Sequence, residues 1–329
     1  MSALRPDPAT ERLIYTPEPA PCTGTALPVP SLTLPMPGEP YTCSMTHAPP
    51  VLAWRHDTTA EMPDSSAEER ERSWYRWILG HQIAFCVWRL ICDELSLIQP
   101  GIDCNGSVSA SMDRVAALYD DYSALLLYSG ACSPETYHSV IRHNMVSAHP
   151  AFSGTWARDY ERVLALLRDR VEQRPGALRA ALKTNRLVHM AVAKRLVPSD
   201  NSLLREAGAA HAPVVESDRC RLDAFFGTVR GTPCRHDLAS ELRCRVAAAL
   251  RDLERHSLDA NYGCDRIHAL QGGVTAQLEL LSTISAEGPQ ASPDQLPGNL
   301  LVAVPTPRPE AFRSLSGSDR FAPHRMGRS

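Results

Sequence analysis

Proline constrains this chain more than any other residue type. Its ring fixes φ and removes the amide donor, so a proline-dense segment enters neither a helix interior nor a central strand. The 329 residues include 27 prolines, and they crowd the two ends. PEPAP, PVPSLTLPMPGEP and THAPP lie before residue 63, and PQASPDQLPGN and PTPRPEAF after Gly288. Residues 1–63 are therefore expected to form a proline-rich tail whose last part is an arm over the domain, and residues 288–329 a low-complexity tail. The folded domain is expected at 64–287.

Inside those limits the apolar residues repeat with the helical period. Trp74, Trp77, Ile78, His81, Phe85, Trp88, Cys92 and Leu95 recur at spacings of three and four, one face of a helix over about 67–98. A second helix is expected at about 110–131. A third starts at Ser133-Pro134-Glu135, by an N-cap serine and a first-turn proline, and runs to about Ser147. HPAFSG at 149–154 breaks the pattern before a helix at 156–173. A further helix at 177–197 places Leu178, Leu182, Asn185, His189, Val192 and Leu196 on one face, and weaker ones follow at 217–226, 236–256 and 273–285. No convincing alternating strand occurs, so the expected class is all-α.

Composition narrows the function classes. The net charge is −3, and no stretch gathers enough Lys and Arg to make a phosphate-binding face, which argues against nucleic acid. No apolar run reaches the length of a membrane span, and MSALRPDPATERL does not read as a signal peptide. The ten cysteines are scattered without a CxxC pair and read as free thiols in the core. A cytoplasmic protein is the expectation.

Among the twelve histidines, His81 and His189 fall at the centre of otherwise apolar helical faces. A satisfied core histidine is the ordinary reading of either one. Two such residues on separate long helices point further, because a buried imidazole without partners costs roughly 1–3 kcal/mol. A zinc site fits poorly, since there is no HExxH, no CxxC and no carboxylate near either histidine on its face. A heme needs one axial imidazole and an apolar slot. The absence of CxxCH argues against thioether attachment of the c type.

WYRWILGHQIAFCVWRLICDELSLI (74–98) resembles the first core helix of tryptophan 2,3-dioxygenase, with His81, Gln82, Trp88, Glu94 and Leu95 as the matching residues. SPETYHSVIRHNMVSAHPAFSGTWARDY (133–160) and TNRLVHMAVAKRLVP (184–198) resemble a narrower branch of that superfamily, the histidine-ligated heme tyrosine hydroxylases of antibiotic pathways. The resemblance covers about 67–230. It implies a helical bundle enclosing a heme, with His189 as axial ligand and His81 on the distal side over the substrate. A related methyl-tyrosine hydroxylase anchors its heme through His-xxx-Cys. No histidine here has a cysteine four residues later, so the implied cofactor is non-covalent heme b.

The implied reaction is hydroxylation of L-tyrosine to L-DOPA with hydrogen peroxide. His81 would be the proton-transfer residue, because an imidazole can exchange a proton near neutral pH. Trp77, Phe152 and Trp156 are candidate aromatic walls, Ser153 a contact for the amino or carboxylate group, and Arg158 a bidentate donor to the carboxylate. Arg186, one turn before His189, could reach a heme propionate. Some members of the family are dimers, which leaves a homodimer open. An indole-opening heme dioxygenase and a non-catalytic helical heme-binding protein are the competing readings.

Overall fold

The chain is described here by a computed structural model that covers residues 27–41, 69–98, 107–168, 175–198, 201–209 and 212–284. Both expected terminal tails lie largely outside these residues. Helix α1 (Glu69–Leu97) is the centre of the protein, with 19 of its 29 residues buried. The sequence pattern suggested a single apolar face, whereas α1 is enclosed on nearly all sides. It packs against α2 (Ser107–Ser129), α5 (Arg158–Arg168) and α9 (Arg235–Arg255). Helix α6 (Gly176–Leu196) packs chiefly against α2, and α11 (Val274–Ile284) closes on α2 and α9.

The expected third helix forms with an internal irregularity. Short α3 (Pro134–Thr136) runs into a π-helical segment, Tyr137–Arg142, and then α4 (His143–Ala148). Ser133 caps it, its Oγ accepting from the Thr136 amide at 3.1 Å. A 3₁₀ turn, Gly154–Trp156, leads into α5. Two further short helices escaped the sequence pattern: α7 (Leu203–Glu206) and α10 (Asp265–Gly272). Helix α8 (Glu216–Phe225) precedes a tight turn at Gly227, where φ is 63°, a region open to glycine without strain.

The all-α class holds with one local exception. Strands β1 (Leu32–Leu34) and β2 (Thr228–Arg230) pair in parallel, Leu32 opposite Thr228. SLTL lies between Pro30 and Pro35 and contains no proline, so its amides are free to pair. Leu32 and Leu34 point inward with 0% exposure while Thr33 faces out. Residues 27–41 are thus a strap built into the core rather than a loose arm.

Buried polar side chains of α1 fasten the surrounding segments to it. Arg76 Nε donates to Asp252 of α9 at 2.6 Å. Gln82 Nε2 donates to the Phe226 carbonyl at 2.8 Å, and its Oε1 accepts from Arg245 Nε of α9 at 2.9 Å. Arg245 also donates to the Pro30 and Ser31 carbonyls of the strap. Arg89 bonds the Met36 and Glu39 carbonyls.

Close approach sets the level of the helices along α2. A Cβ on Gly80 would lie 2.8 Å from Ser129 Cβ, and one on Gly130 would lie 2.6 Å from Val192 Cγ1 of α6. Gly80→Ala should therefore lose about 1 kcal/mol or more of stability, although alanine in an open helix gains about that amount over glycine. Adding Ser129→Gly should restore much of the loss. A double-mutant cycle by denaturant unfolding measures this, and strict additivity would show that the two positions are not in tight contact.

Candidate active site

Between Ser73 and Arg89 only Trp77 and His81 escape full burial. They stand one turn apart on the same side of α1, so the core opens at this pair. His81 Nδ1 lies 2.7 Å from the Trp77 carbonyl oxygen. A carbonyl only accepts, so Nδ1 carries the proton and Nε2 presents its lone pair. Nε2 has no protein partner among the described residues.

The ring is held between aromatic walls. Phe226 stacks on it at 4.4 Å with an interplanar angle of 13°, and Trp77 lies 4.4 Å away on a tilt. Desolvation lowers the His81 pKa to about 4, opposed only by the hydrogen bond to Trp77. His81 is therefore a neutral base at pH 7. The Trp77 indole Nε1 is buried with no hydrogen-bond partner among the described residues. Such a donor is costly to leave unpaired, and it lies beside the imidazole. Tyr137, in the π-helical segment, meets Trp77 edge-on at 5.9 Å, and π-helical turns are frequent at functional sites.

Phe152 is buried and reaches this opening through Phe225 at 4.6 Å and Phe226 at 6.4 Å. Trp156 stands one ring further back, 5.6 Å from Phe152 and 5.2 Å from His149. Ser153 acts as a cap: its Oγ accepts from the Thr155 amide at 3.2 Å and pairs with Thr155 Oγ1 at 2.9 Å.

Arg158 departs from expectation. It is buried, with Nε on Asp223 at 2.9 Å and Nη1 on Glu216 at 2.7 Å. Asp223 in turn holds Arg230, which also holds Asp159 at 2.6 Å. A free bidentate fork for a substrate carboxylate is not presented. The guanidinium is instead part of an alternating ion-pair lattice that ties α5 to α8 and β2, in which the buried carboxylates of Asp159 and Asp223 are neutralised by Arg158 and Arg230.

His189 also departs from expectation. The buried stripe of α6 runs through Leu178, Ala181, Asn185, Val188, Val192 and Leu196, so His189 lies just past it and is exposed. Partial desolvation still holds its pKa below the ordinary histidine value. Arg186, Leu187 and Met190 are exposed beside it, and Arg186 makes no ion pair among the described residues. An imidazole, a guanidinium and two apolar side chains on one outward face suit a flat apolar ring with anionic edges. Gly80 of α1 and Val192 of α6 approach the C-terminal end of α2 at adjacent residues, Ser129 and Gly130.

The structure thus gathers Trp77 and His81 with Phe152, and Trp156 behind it, and leaves Arg158, Arg186 and His189 outside that ring cluster. Phe225, Phe226 and Tyr137 were missed. The tandem Phe-Phe before Gly227 was their signal, marking a helix end that turns two rings into the core. Among the described residues no group of three or more His, Cys, Asp or Glu could hold a metal ion, and no helix is long and apolar enough to cross a membrane.

A family model described as SfmD 3-methyl-L-tyrosine peroxygenase matches residues 30–182, a little under half of the chain. The match spans the strap, Trp77, His81 and Phe152 to Arg158, and stops before Arg186 and His189. No curated protein matches the chain. By its description, the matched family consists of peroxygenases that act on 3-methyl-L-tyrosine.

Acid should expose the neutral state of His81. An unfolded histidine titrates near 6.5 and the folded one near 4. Between those values the unfolded chain binds more protons, so stability rises with pH and is lost as pH falls. Urea unfolding at pH 7.5 and 4.5 should show a larger drop for the wild type than for His81→Gln. Equal drops would mean that His81 is charged or solvated in the fold.

Proposed function

We propose that this chain is a heme-dependent peroxygenase that hydroxylates the ring of an aromatic amino acid, converting L-tyrosine to L-DOPA. The observation that carries the reading is the neutral His81, its Nε2 lone pair open and its ring pinned between Trp77 and Phe226.

His189 would supply the imidazole that holds the heme iron, and Arg186 the cation for a propionate. Bound heme supplies the two-electron reduction of peroxide and the delivery of one oxygen atom to the ring. The protein residues handle the protons. His81 Nε2 takes a proton from one peroxide oxygen and returns it to the other, which leaves as water. An imidazole of low pKa gives that proton back readily. The unpaired Trp77 Nε1–H is a donor for the substrate phenol, and Phe226 and Tyr137 give its ring apolar walls. Arg158 acts indirectly, because its bond to Asp223 fixes the helix end that carries Phe225 and Phe226.

Three measurements test this. Protein isolated with heme should hold about one per chain, extractable by acidic organic solvent because no cysteine follows a histidine at the anchoring distance. His189→Ala should lose the heme or shift its spectrum, and an unchanged spectrum would remove His189 from the site. L-Tyrosine with hydrogen peroxide should yield L-DOPA without flavin, pterin or nicotinamide. A product from 3-methyl-L-tyrosine alone would shift the substrate, and N-formylkynurenine from tryptophan would favour the dioxygenase reading.

His81→Ala should keep the heme and slow turnover per heme by roughly 100-fold. The acid limb of kcat/KM in the wild type should fall near pH 4 instead of near 6.5. Full activity per heme in the variant would end the proton-transfer role.

A further inference from the structure

His81, Phe85 and Trp88 lie at i, i+4 and i+7 on one face of α1. Their rings belong to a longer row. Phe226 is 4.4 Å from His81 and 5.4 Å from Phe85, and Phe85 is 5.3 Å from Trp88. Trp88 then meets Tyr160 of α5 at 5.0 Å and Tyr122 of α2 at 5.3 Å. The row runs unbroken from the candidate site to Tyr160, which is only partly buried. From His81 to Trp88 is two helical turns, about 10 Å, short enough for an electron to tunnel in one step past the two phenylalanines.

Packing alone explains aromatic contacts, but not a row that places a buried indole without an acceptor between the candidate site and two tyrosines. The Trp88 Nε1–H is buried with no acceptor among the described residues. An indole that loses an electron there keeps its proton and stays strongly oxidising. Tyr122 is partly buried like Tyr160, but burial pushes its phenol far above the ordinary range, so it does not readily release a proton. Burial raises the Tyr160 phenol by less, and its partial exposure gives the phenolic proton an exit to solvent. The hole therefore runs downhill to Tyr160.

We propose that this row is an electron-transfer relay through which Tyr160, by way of Trp88, reduces the oxidant at the His81 site when no substrate is bound. It rests on the reading that the site meets hydrogen peroxide. Reducing one peroxide to two waters takes two electrons and two protons. One passage moves an electron from Trp88 into the site and one from Tyr160 to Trp88. The Tyr160 proton passes to water, leaving a neutral tyrosyl radical. A small one-electron reductant of the ascorbate class returns a hydrogen atom to Tyr160, and a second passage supplies the second electron.

The test is freeze-quench electron paramagnetic resonance of the heme-loaded protein mixed with hydrogen peroxide and no substrate. A tyrosyl signal should form, narrow with ring-deuterated tyrosine, and disappear in Tyr160→Phe, a mild change at a partly exposed position. Trp88→Phe, checked for folding by circular dichroism, should lower its yield several-fold. Both variants should survive several-fold fewer peroxide equivalents before the heme bleaches, and ascorbate should protect only the wild type. Peroxide consumption with an unchanged signal and unchanged survival in both variants would overturn the relay and leave the peroxygenase reading standing. Failure to consume peroxide at all would overturn both.

Discussion

The fold depends on the desolvation of one helix. Helix α1 is enclosed along most of its length and still carries Arg76, Gln82, Arg89 and Glu94 among its buried residues. A buried polar group without a partner costs free energy, and a buried charge costs more. Each of these side chains is therefore answered by a neighbouring segment: Arg76 by α9, Gln82 by α9 and the Phe226 turn, Arg89 by the strap, and Glu94 by Arg114 of α2 at 2.9 Å. Apolar packing alone would let the surrounding elements slide along α1. The polar contacts fix their register, at a stability cost that the apolar core offsets.

That register builds the candidate site. Gln82 follows His81 directly and holds the Phe226 carbonyl, so the bond that anchors the turn also sets the Phe226 ring over His81. Arg245, fully buried, holds the other end of Gln82 and the strap together. The Arg158, Asp223, Arg230 and Asp159 lattice secures α8 from the opposite side. The site is thus an aromatic opening framed by ion pairs that do not enter it.

Much of this was legible in the sequence, for physical reasons that also mark where legibility ends. Long helices announce themselves through the 3.6-residue period, and α1, α2, α6 and α9 lie within a few residues of their expected bounds. Four-residue α7 is too short to show a period. The strap was misjudged because proline density was taken as a property of the whole stretch, while SLTL between its prolines could still pair and bury two leucines. His189 shares a helical line with Leu178, Leu182 and Leu196, whereas the buried stripe follows the smaller Ala181 and Val188. Arg158 was legible as buried chemistry but not as to its partner, because Asp223 lies 65 residues away. Phe226 was invisible as a wall for His81 because only the turn at Gly227 brings the two rings together.

The separation of charge from aromatic surface explains how one histidine stays neutral in a protein rich in arginine. Nothing charged shifts His81; only burial and the Trp77 carbonyl act on it. The faces of α1 divide this work. Positions 77, 81, 85 and 88 carry rings alone, while 76, 82 and 89 carry the polar contacts to the rest of the fold. A charge beside the ring would act directly on the protonation of a base in a low-dielectric pocket. Keeping the ion pairs on the other faces lets the lattice stiffen the site without retuning it. The same separation leaves an uninterrupted aromatic path along α1, from His81 and Phe226 through Phe85 to Trp88.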